Sequence, residues 1–240
     1  GSHNKGQTKN GHSVMLKLNY RDVNILLTGD LNWASERFLL EQHVERPVPD
    51  DETSEEDRNL FVGLSREIFG CDVVKSCHHG AADFMNIFLE ACDNPATIVS
   101  SGDNESHAHP RSDTLGAIGK YGRGSRPLIL STELARSTRE KESPEDVEKL
   151  IKRQIKLASE TDPQKKKKLV KEVQELTEEI AKRNVTVYGA INLRTNGRKI
   201  VMTQKLERDR NIAGNLMKWD VYKLEPDEDG VISFQEGGSH

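Results

Sequence analysis

The stretch Asp72-Val73-Val74-Lys75-Ser76-Cys77-His78-His79-Gly80 restricts this chain more than any other. Val73 and Val74 form a short apolar run, which reads as a buried strand. That strand delivers two adjacent histidines and a glycine to its end. In folds that alternate strands and helices, chemistry gathers at strand ends, and paired imidazoles there are candidate metal ligands. Taken alone, the pair reads equally well as two solvated loop histidines. Its company favours chemistry: Gly11-His12-Ser13, Thr28-Gly29-Asp30 and His107-Ala108-His109-Pro110 fall at other strand ends.

The hydropathy pattern places these motifs. Val14, Leu16 and Leu18 alternate with polar neighbours, which predicts a strand with one face inside. Tyr20-Arg21-Asp22 turns the chain into a second strand, Val23 to Leu27, which ends at Thr28-Gly29-Asp30. A helix is expected over residues 34–43, stopped by Pro47 and Pro49. Residues 50–57 read as an acidic linker, followed by a short helix from Leu60 to Phe69. Beyond the His-His-Gly strand, Asp83 reads as the N-cap of a helix carrying Phe84, Ile87, Phe88 and Ala91. A strand from Ala96 to Ser100 leads into Gly102-Asp103-Asn104 and the His107–Pro110 loop. Ser112 or Asp113 then caps a helix with Leu115 and Ile118, and Leu128 to Leu130 is one more strand.

The composition changes near Glu133. From Ser143 to Arg183, Lys and Glu frame two apolar stripes, Val147/Ile151/Ile155 and Leu169/Val173/Leu176/Ile180, separated by Thr161-Asp162-Pro163. Two amphipathic helices folded as a hairpin are expected to pack these stripes on each other, and a stripe left over is a surface for a protein partner or an oligomer. Lys165 to Lys168 is a basic run, read as a solvated helix start or as a contact to a phosphate backbone; Arg123 and Arg126 are further backbone-contact candidates. Val185 to Leu193, Ile200 to Thr203, Trp219 to Leu224 and Val231 to Phe234 read as strands. Asn196-Gly197 is a strong hairpin signal.

A net charge of -4 argues against a strongly basic nucleic-acid binder but leaves a local basic patch open. Cys71, Cys77 and Cys92 have no disulfide-framework or zinc-knuckle spacing, so reduced thiols and a cytoplasmic location are expected. No apolar run approaches membrane-spanning length, and the start does not read as a signal peptide, so no membrane is expected. Gly1-Ser2-His3 and Gly237-Gly238-Ser239-His240 read as tag remnants.

Imidazole nitrogen with carboxylate oxygen is the donor set of Zn, Mn or Fe hydrolytic sites. His12, Asp30, His78, His79, His107 and His109 all fall at strand ends, and they converge if their strands share one sheet.

The order Asn10-Gly11-His12-Ser13, Ile25-Leu26-Leu27-Thr28-Gly29-Asp30, Ser76-Cys77-His78-His79-Gly80, then Ser101-Gly102-Asp103-Asn104 with His109-Pro110, resembles the metallo-β-lactamase fold superfamily. The branch with the soluble hydrolase domain of the DNA-uptake protein ComEC is the most similar. The resemblance covers roughly residues 8–130. It implies an α/β fold, the C-terminal half of an αββα sandwich, with a helical-hairpin insertion and a small antiparallel β tail. Residues 1–135 are then the hydrolase-like second half, 136–184 the insertion, and 185–240 a β-rich segment returning to the domain.

The resemblance also implies roles. Asp30 matches a carboxylate bridging two divalent metal ions, Zn or Mn. His79 matches a ligand of the second metal, and His12 stands where many members place a ligand of the first. His78 is implied beside the metals or at the phosphate, and His109 near the substrate, both as catalytic residues. The family's His-x-His-x-Asp-His signature belongs upstream of the first hairpin and is not in this chain, so those ligands are expected from elsewhere. The function implied is a metal-dependent hydrolase, a phosphodiesterase or nuclease, with a phosphodiester or nucleic acid as substrate. The competing expectation is a non-catalytic module that binds a protein through residues 143–183.

Overall fold

The computed structural model describes residues 10, 12–102, 109–132, 144–182, 189–212 and 215–234. The expected motifs at Gly11 and Asp103–His107, and the expected strand residues 185–188, lie outside the described residues. By its internal contacts the chain divides into two compact units, one made of residues 1–133 with 188–240 and the other of residues 134–187.

The larger unit is α/β. Its first sheet runs in the order β1 (Leu16–Tyr20), β2 (Val23–Leu27), β3 (Val73–Lys75), β4 (Ala96–Val99), β5 (Leu128–Ser131). The β1–β2 hairpin is antiparallel, and β2 to β5 are parallel. Parallel neighbours need crossovers, and helices supply them. α1 (Trp33–Val44) and α2 (Glu55–Phe69) link β2 to β3, α3 (Asn86–Cys92) links β3 to β4, and α4 (Ser112–Tyr121) links β4 to β5.

The pleat sends alternate residues to opposite faces. Leu26 and Val74, which are register partners, pack with Leu40, Phe61, Phe69 and Phe88 of the helices. On the other face, Val23, Val73, Ala96, Leu128 and Leu130 pack against Ile200, Met202, Leu224 and Ile232. Those four belong to a second, antiparallel sheet, β6 (Ile191–Thr195), β7 (Ile200–Ile212), β8 (Asn215–Pro226), β9 (Ile232–Phe234). The first sheet is therefore enclosed between helices and a sheet, which explains why β3 and β4 are apolar on both faces. Arg123 ties the layers together, donating to the carbonyls of Ile232 and Cys71 and pairing with Asp72 and Asp93. It is thus committed to the fold rather than free for a nucleic-acid backbone.

Several expectations are corrected. β1 does not have one face inside: all five residues are exposed, Leu16 and Leu18 by 58% and 56%. It is the edge strand, and its apolar side lies on the face that the second sheet covers only from β2 onward. Of residues 50–57, only 50–54 are the expected loop. Ser54 Oγ accepts from the Asp57 N–H at 3.1 Å and caps α2, so Glu55, Glu56 and Asp57 form its first turn, where the helix dipole favours acids. Asp83 is not the cap of α3, which starts at Asn86 behind Met85 with no cap from its own neighbouring side chains. α4 likewise starts at Ser112 with no side-chain cap.

The smaller unit contains the expected helical hairpin, α5 (Pro144–Ser159) and α6 (Pro163–Lys182). Asp162 Oδ1 accepts from the Gln164 and Lys165 N–H groups, and Pro163 opens α6 where a missing N–H costs nothing. Leu169 is buried, whereas Ile151 and Ile155 are exposed by 49% and 64%. The α5 stripe is therefore not consumed by packing on α6. Val147 and Ile180 lie outside the described side chains.

Candidate functional site

The parallel strands β2, β3 and β4 end side by side, and the motifs sit in the loops at their carboxyl ends. Such a row of ends is where open α/β sheets hold ligands. After β2 comes Thr28-Gly29-Asp30, after β3 the turn Cys77–Gly80, and after β4 Ser100 and Ser101.

The β3 turn has unusual backbone. His78 (φ 43, ψ 51) and His79 (φ 54, ψ 19) are both left-handed, and Gly80 follows at φ 80. A non-glycine residue there crowds its Cβ against the following carbonyl, costing about 1–2 kcal/mol each. Strain of this kind persists where surroundings impose it, and it clusters at functional sites. The surroundings here are specific. The His78 N–H donates to the Gly29 carbonyl at 3.3 Å, the Ala81 N–H to the His78 carbonyl at 2.9 Å, and the Arg111 N–H to the Gly80 carbonyl at 2.8 Å. A Cβ on Gly80 would stand 2.8 Å from the Pro110 Cβ, so only glycine lets the His109-Pro110 segment approach.

His79 Nδ1 meets the Ser100 carbonyl at 2.6 Å. A carbonyl only accepts, so Nδ1 carries the proton and, in the neutral ring, Nε2 presents its lone pair. Nε2 faces Asp30 Oδ1 at 3.5 Å. The same Oδ1 lies 3.6 Å from Lys75 Nζ, which donates to the Gly29 carbonyl at 2.7 Å. The Asp30 N–H donates to Ser13 Oγ at 2.9 Å, fixing the loop that carries the carboxylate. Ser13 also explains Gly29, at φ 61, where a Cβ would come within 2.9 Å of the Ser13 Cβ.

His78 points elsewhere. Its Nε2 lies 3.0 Å from the Asn10 amide nitrogen, which donates, so the ring proton sits on Nδ1. That Nδ1 is buried with no hydrogen-bond partner. The His109 ring packs against His78 at 5.6 Å between centroids, and His79 lies 6.3 Å from His78.

Four of the five expected site residues thus gather, as the pair Asp30–His79 and the stack His78–His109. His12 does not join them: it is exposed, and no ion pair or ring contact connects it to the others among the described residues. From the same segment it is Ser13 that reaches the site. Nothing in the sequence marks Ser13, Lys75 or Ser100 as site residues. Ser13 and Lys75 lie inside the quoted motifs, but a serine or lysine there carries no spacing signal.

Two bonds of about 2.0–2.1 Å at a tetrahedral centre set their donor atoms about 3.4 Å apart. The Asp30–His79 separation spans one such edge, with the His79 tautomer and its carbonyl anchor suited to ligation. Among the described residues, no group of three or more His, Cys, Asp or Glu side chains is placed to hold a metal ion. The donors present fit one edge of a site and do not complete the two-metal centre.

Behind the turn, Glu36 of α1 is fully buried. Its Oε2 accepts the Met85 N–H at 2.6 Å, and Oε1 meets no donor within hydrogen-bonding geometry. Burial pushes its pKa up to about 7, against the lowering effect of the Met85 N–H and of the adjacent Cys77 thiol. Burial also raises the Cys77 thiol well above its usual range. All three cysteines are free and buried. Among the described residues no helix is long and apolar enough to cross a membrane. Compared with protein-family models, with curated proteins and with solved structures, the chain matches none.

Proposed function

We propose that this chain is the second half of a metal-dependent hydrolase of the metallo-β-lactamase fold, acting on a phosphodiester, with its remaining metal ligands supplied from outside the described residues. The observation that carries this reading is the Asp30–His79 pair, 3.5 Å apart at neighbouring strand ends, with His79 Nδ1 anchored on the Ser100 carbonyl. The exposed apolar side of β1 supports it as well, since Leu16 and Leu18 extend a face that is packed sheet on sheet from β2 onward.

A bound divalent cation would supply Lewis acidity and a hydroxide nucleophile at neutral pH. The residues of this chain have simpler tasks. Asp30 and His79 offer oxygen and nitrogen donors on one edge. Lys75 offsets the Asp30 charge and is available to a phosphoryl oxygen. His78 and His109, packed ring against ring beside the pair, are the side chains proposed to line the leaving-group side. Nucleic acid is one phosphodiester of this kind, and the exposed Lys165–Lys168 run is a candidate contact to its backbone.

The test is metal content by elemental analysis, and hydrolysis of a bis-aryl phosphate and of a labelled oligonucleotide with added Zn or Mn, on the native gene product. Asp30→Ala and His79→Ala are each expected to lose metal and activity. His78→Ala is expected to lower turnover with metal retained. Full metal retention in the Asp30→Ala/His79→Ala double variant would end the reading. Cleavage of a β-lactam or thioester instead would keep the fold and replace the substrate. The exposed Ile151 and Ile155 favour a second reading, a protein-binding module, which gains if metal binds and nothing is cleaved.

A further inference from the structure

The helical hairpin has an apolar face that its own packing leaves open. On α5, Ile151 and Ile155 stand one turn apart on the same side, and both are exposed. On α6, Leu169 is buried, and the rest of the described seam is only half-buried: Leu150 and Leu157 of α5, Val173 and Leu176 of α6. A seam that narrow is marginal for two helices, because helices of this length gain most of their stability from packing an apolar face. Two helices joined by a short turn are half of a four-helix bundle, in which each helix is covered on two sides.

The charges around this face say what fits it. The first half of α5 carries Glu145, Asp146 and Glu148 against one Lys149, and the second half carries Lys152 and Lys156 beside Arg153, which pairs with Glu172 of α6. An antiparallel neighbour with the same sequence sets each acidic half beside a basic half and brings Ile151 against Ile155. A parallel neighbour sets like charges together. A face that complements itself on reversal is what a two-fold interface requires, since the same patch serves both subunits. The opposed helix dipoles add to the preference.

We propose that the Ile151/Ile155 face of α5 binds a second copy of this chain in antiparallel register, closing two hairpins into a four-helix bundle. The proposal is independent of the hydrolase reading.

Light scattering coupled to size exclusion, on the full chain at increasing concentration, reads the outcome. A mass twice the 27.0 kDa of one chain is expected. Ile151→Lys/Ile155→Lys should halve that mass while the helical circular dichroism stays unchanged. Glu145→Lys/Glu148→Lys leaves this face basic along its length in both copies, and Lys152→Glu/Lys156→Glu leaves it acidic. Each should weaken the dimer, and mixing the Glu145→Lys/Glu148→Lys variant with the Lys152→Glu/Lys156→Glu variant should shift the equilibrium between copies measurably. A chain that stays at 27.0 kDa at every concentration overturns the proposal. So does a dimer that survives the isoleucine substitutions, or one lost instead on Leu16→Lys/Leu18→Lys, which would place the contact on β1.

Discussion

Glu36 Oε2 accepts the Met85 N–H at 2.6 Å, so a carboxyl from α1 takes the place of the side-chain cap that α3 lacks. The link joins the helix after the Asp30 loop to the segment after the His78-His79 turn. It also buries an ionisable group, and stability should therefore depend on pH.

Burial pushes the folded Glu36 carboxyl up to about 7, above the 4.5 of an unfolded chain. The fold thus binds its proton more tightly than the unfolded chain does. That contribution is fully present below pH 4.5 and is lost as pH rises through 7. A shift of this size corresponds to about 3 kcal/mol as an upper figure. Burial raises Asp72 too, in the same sense. Urea denaturation between pH 4.5 and 8 should show wild-type stability falling, and Glu36→Gln should flatten the fall. An equal slope in Glu36→Gln would show that Glu36 is not the titrating group.

At His78, alanine and glycine should separate. Both remove the ring, but only glycine relieves the left-handed backbone. His78→Gly is expected to be more stable than His78→Ala by about 1 kcal/mol. The check is the difference in denaturation midpoint, and an alanine variant equal to or above the glycine variant would contradict the strained turn.

Gly80→Ala should be costly for two reasons that act together. It places a side chain at φ 80, and it drives a Cβ to 2.8 Å from Pro110. A loss of about 2–3 kcal/mol is expected, with His109 displaced from the His78 ring. Thermal melting reads the first effect, and the imidazole proton resonances of His78 and His109 read the second.

Leu16→Lys/Leu18→Lys should leave stability within about 0.5 kcal/mol, because both side chains are exposed. An unpaired edge with an apolar stripe promotes association between chains, and lysine suppresses it. Turbidity on heating should fall in this variant. A destabilisation well above that figure would mean that the stripe is covered.

The sequence and the structure part company for identifiable reasons. Alternation in Val14, Leu16 and Leu18 announces two faces of a strand but not whether anything covers either one, so the edge position of β1 was not legible. The Ser54 cap was legible: a serine three residues ahead of Asp57 is a helix start, and the acidic run masked it. Val73 and Ile98 declare themselves as strand residues because a parallel sheet covered on both faces demands continuous apolar runs. Asp30 and His79 could be paired by motif order, whereas the carbonyl that sets the His79 tautomer belongs to Ser100, a residue with no distinguishing chemistry. Glu36 sits in a helix where a glutamate is ordinarily solvated, and nothing local says that Met85 will arrive to meet it. His12 had the right residue type in the right segment, yet the turn before β1 presents Ser13 to Asp30 instead.

The layering has a consequence in time. Val23, Val73, Ala96, Leu128 and Leu130 all leave the ribosome before the residues that cover them, Ile200, Met202, Leu224 and Ile232. At roughly 5–20 residues per second, the about 100 positions between Leu130 and Ile232 keep that face uncovered for on the order of 5–20 s. The helical hairpin is made during that interval and closes on local contacts, which form quickly. Arg123 is synthesised early and finds its Ile232 carbonyl only at the end. An apolar sheet face left open for that interval is exposed to aggregation, and a truncation within the second sheet would leave it open permanently.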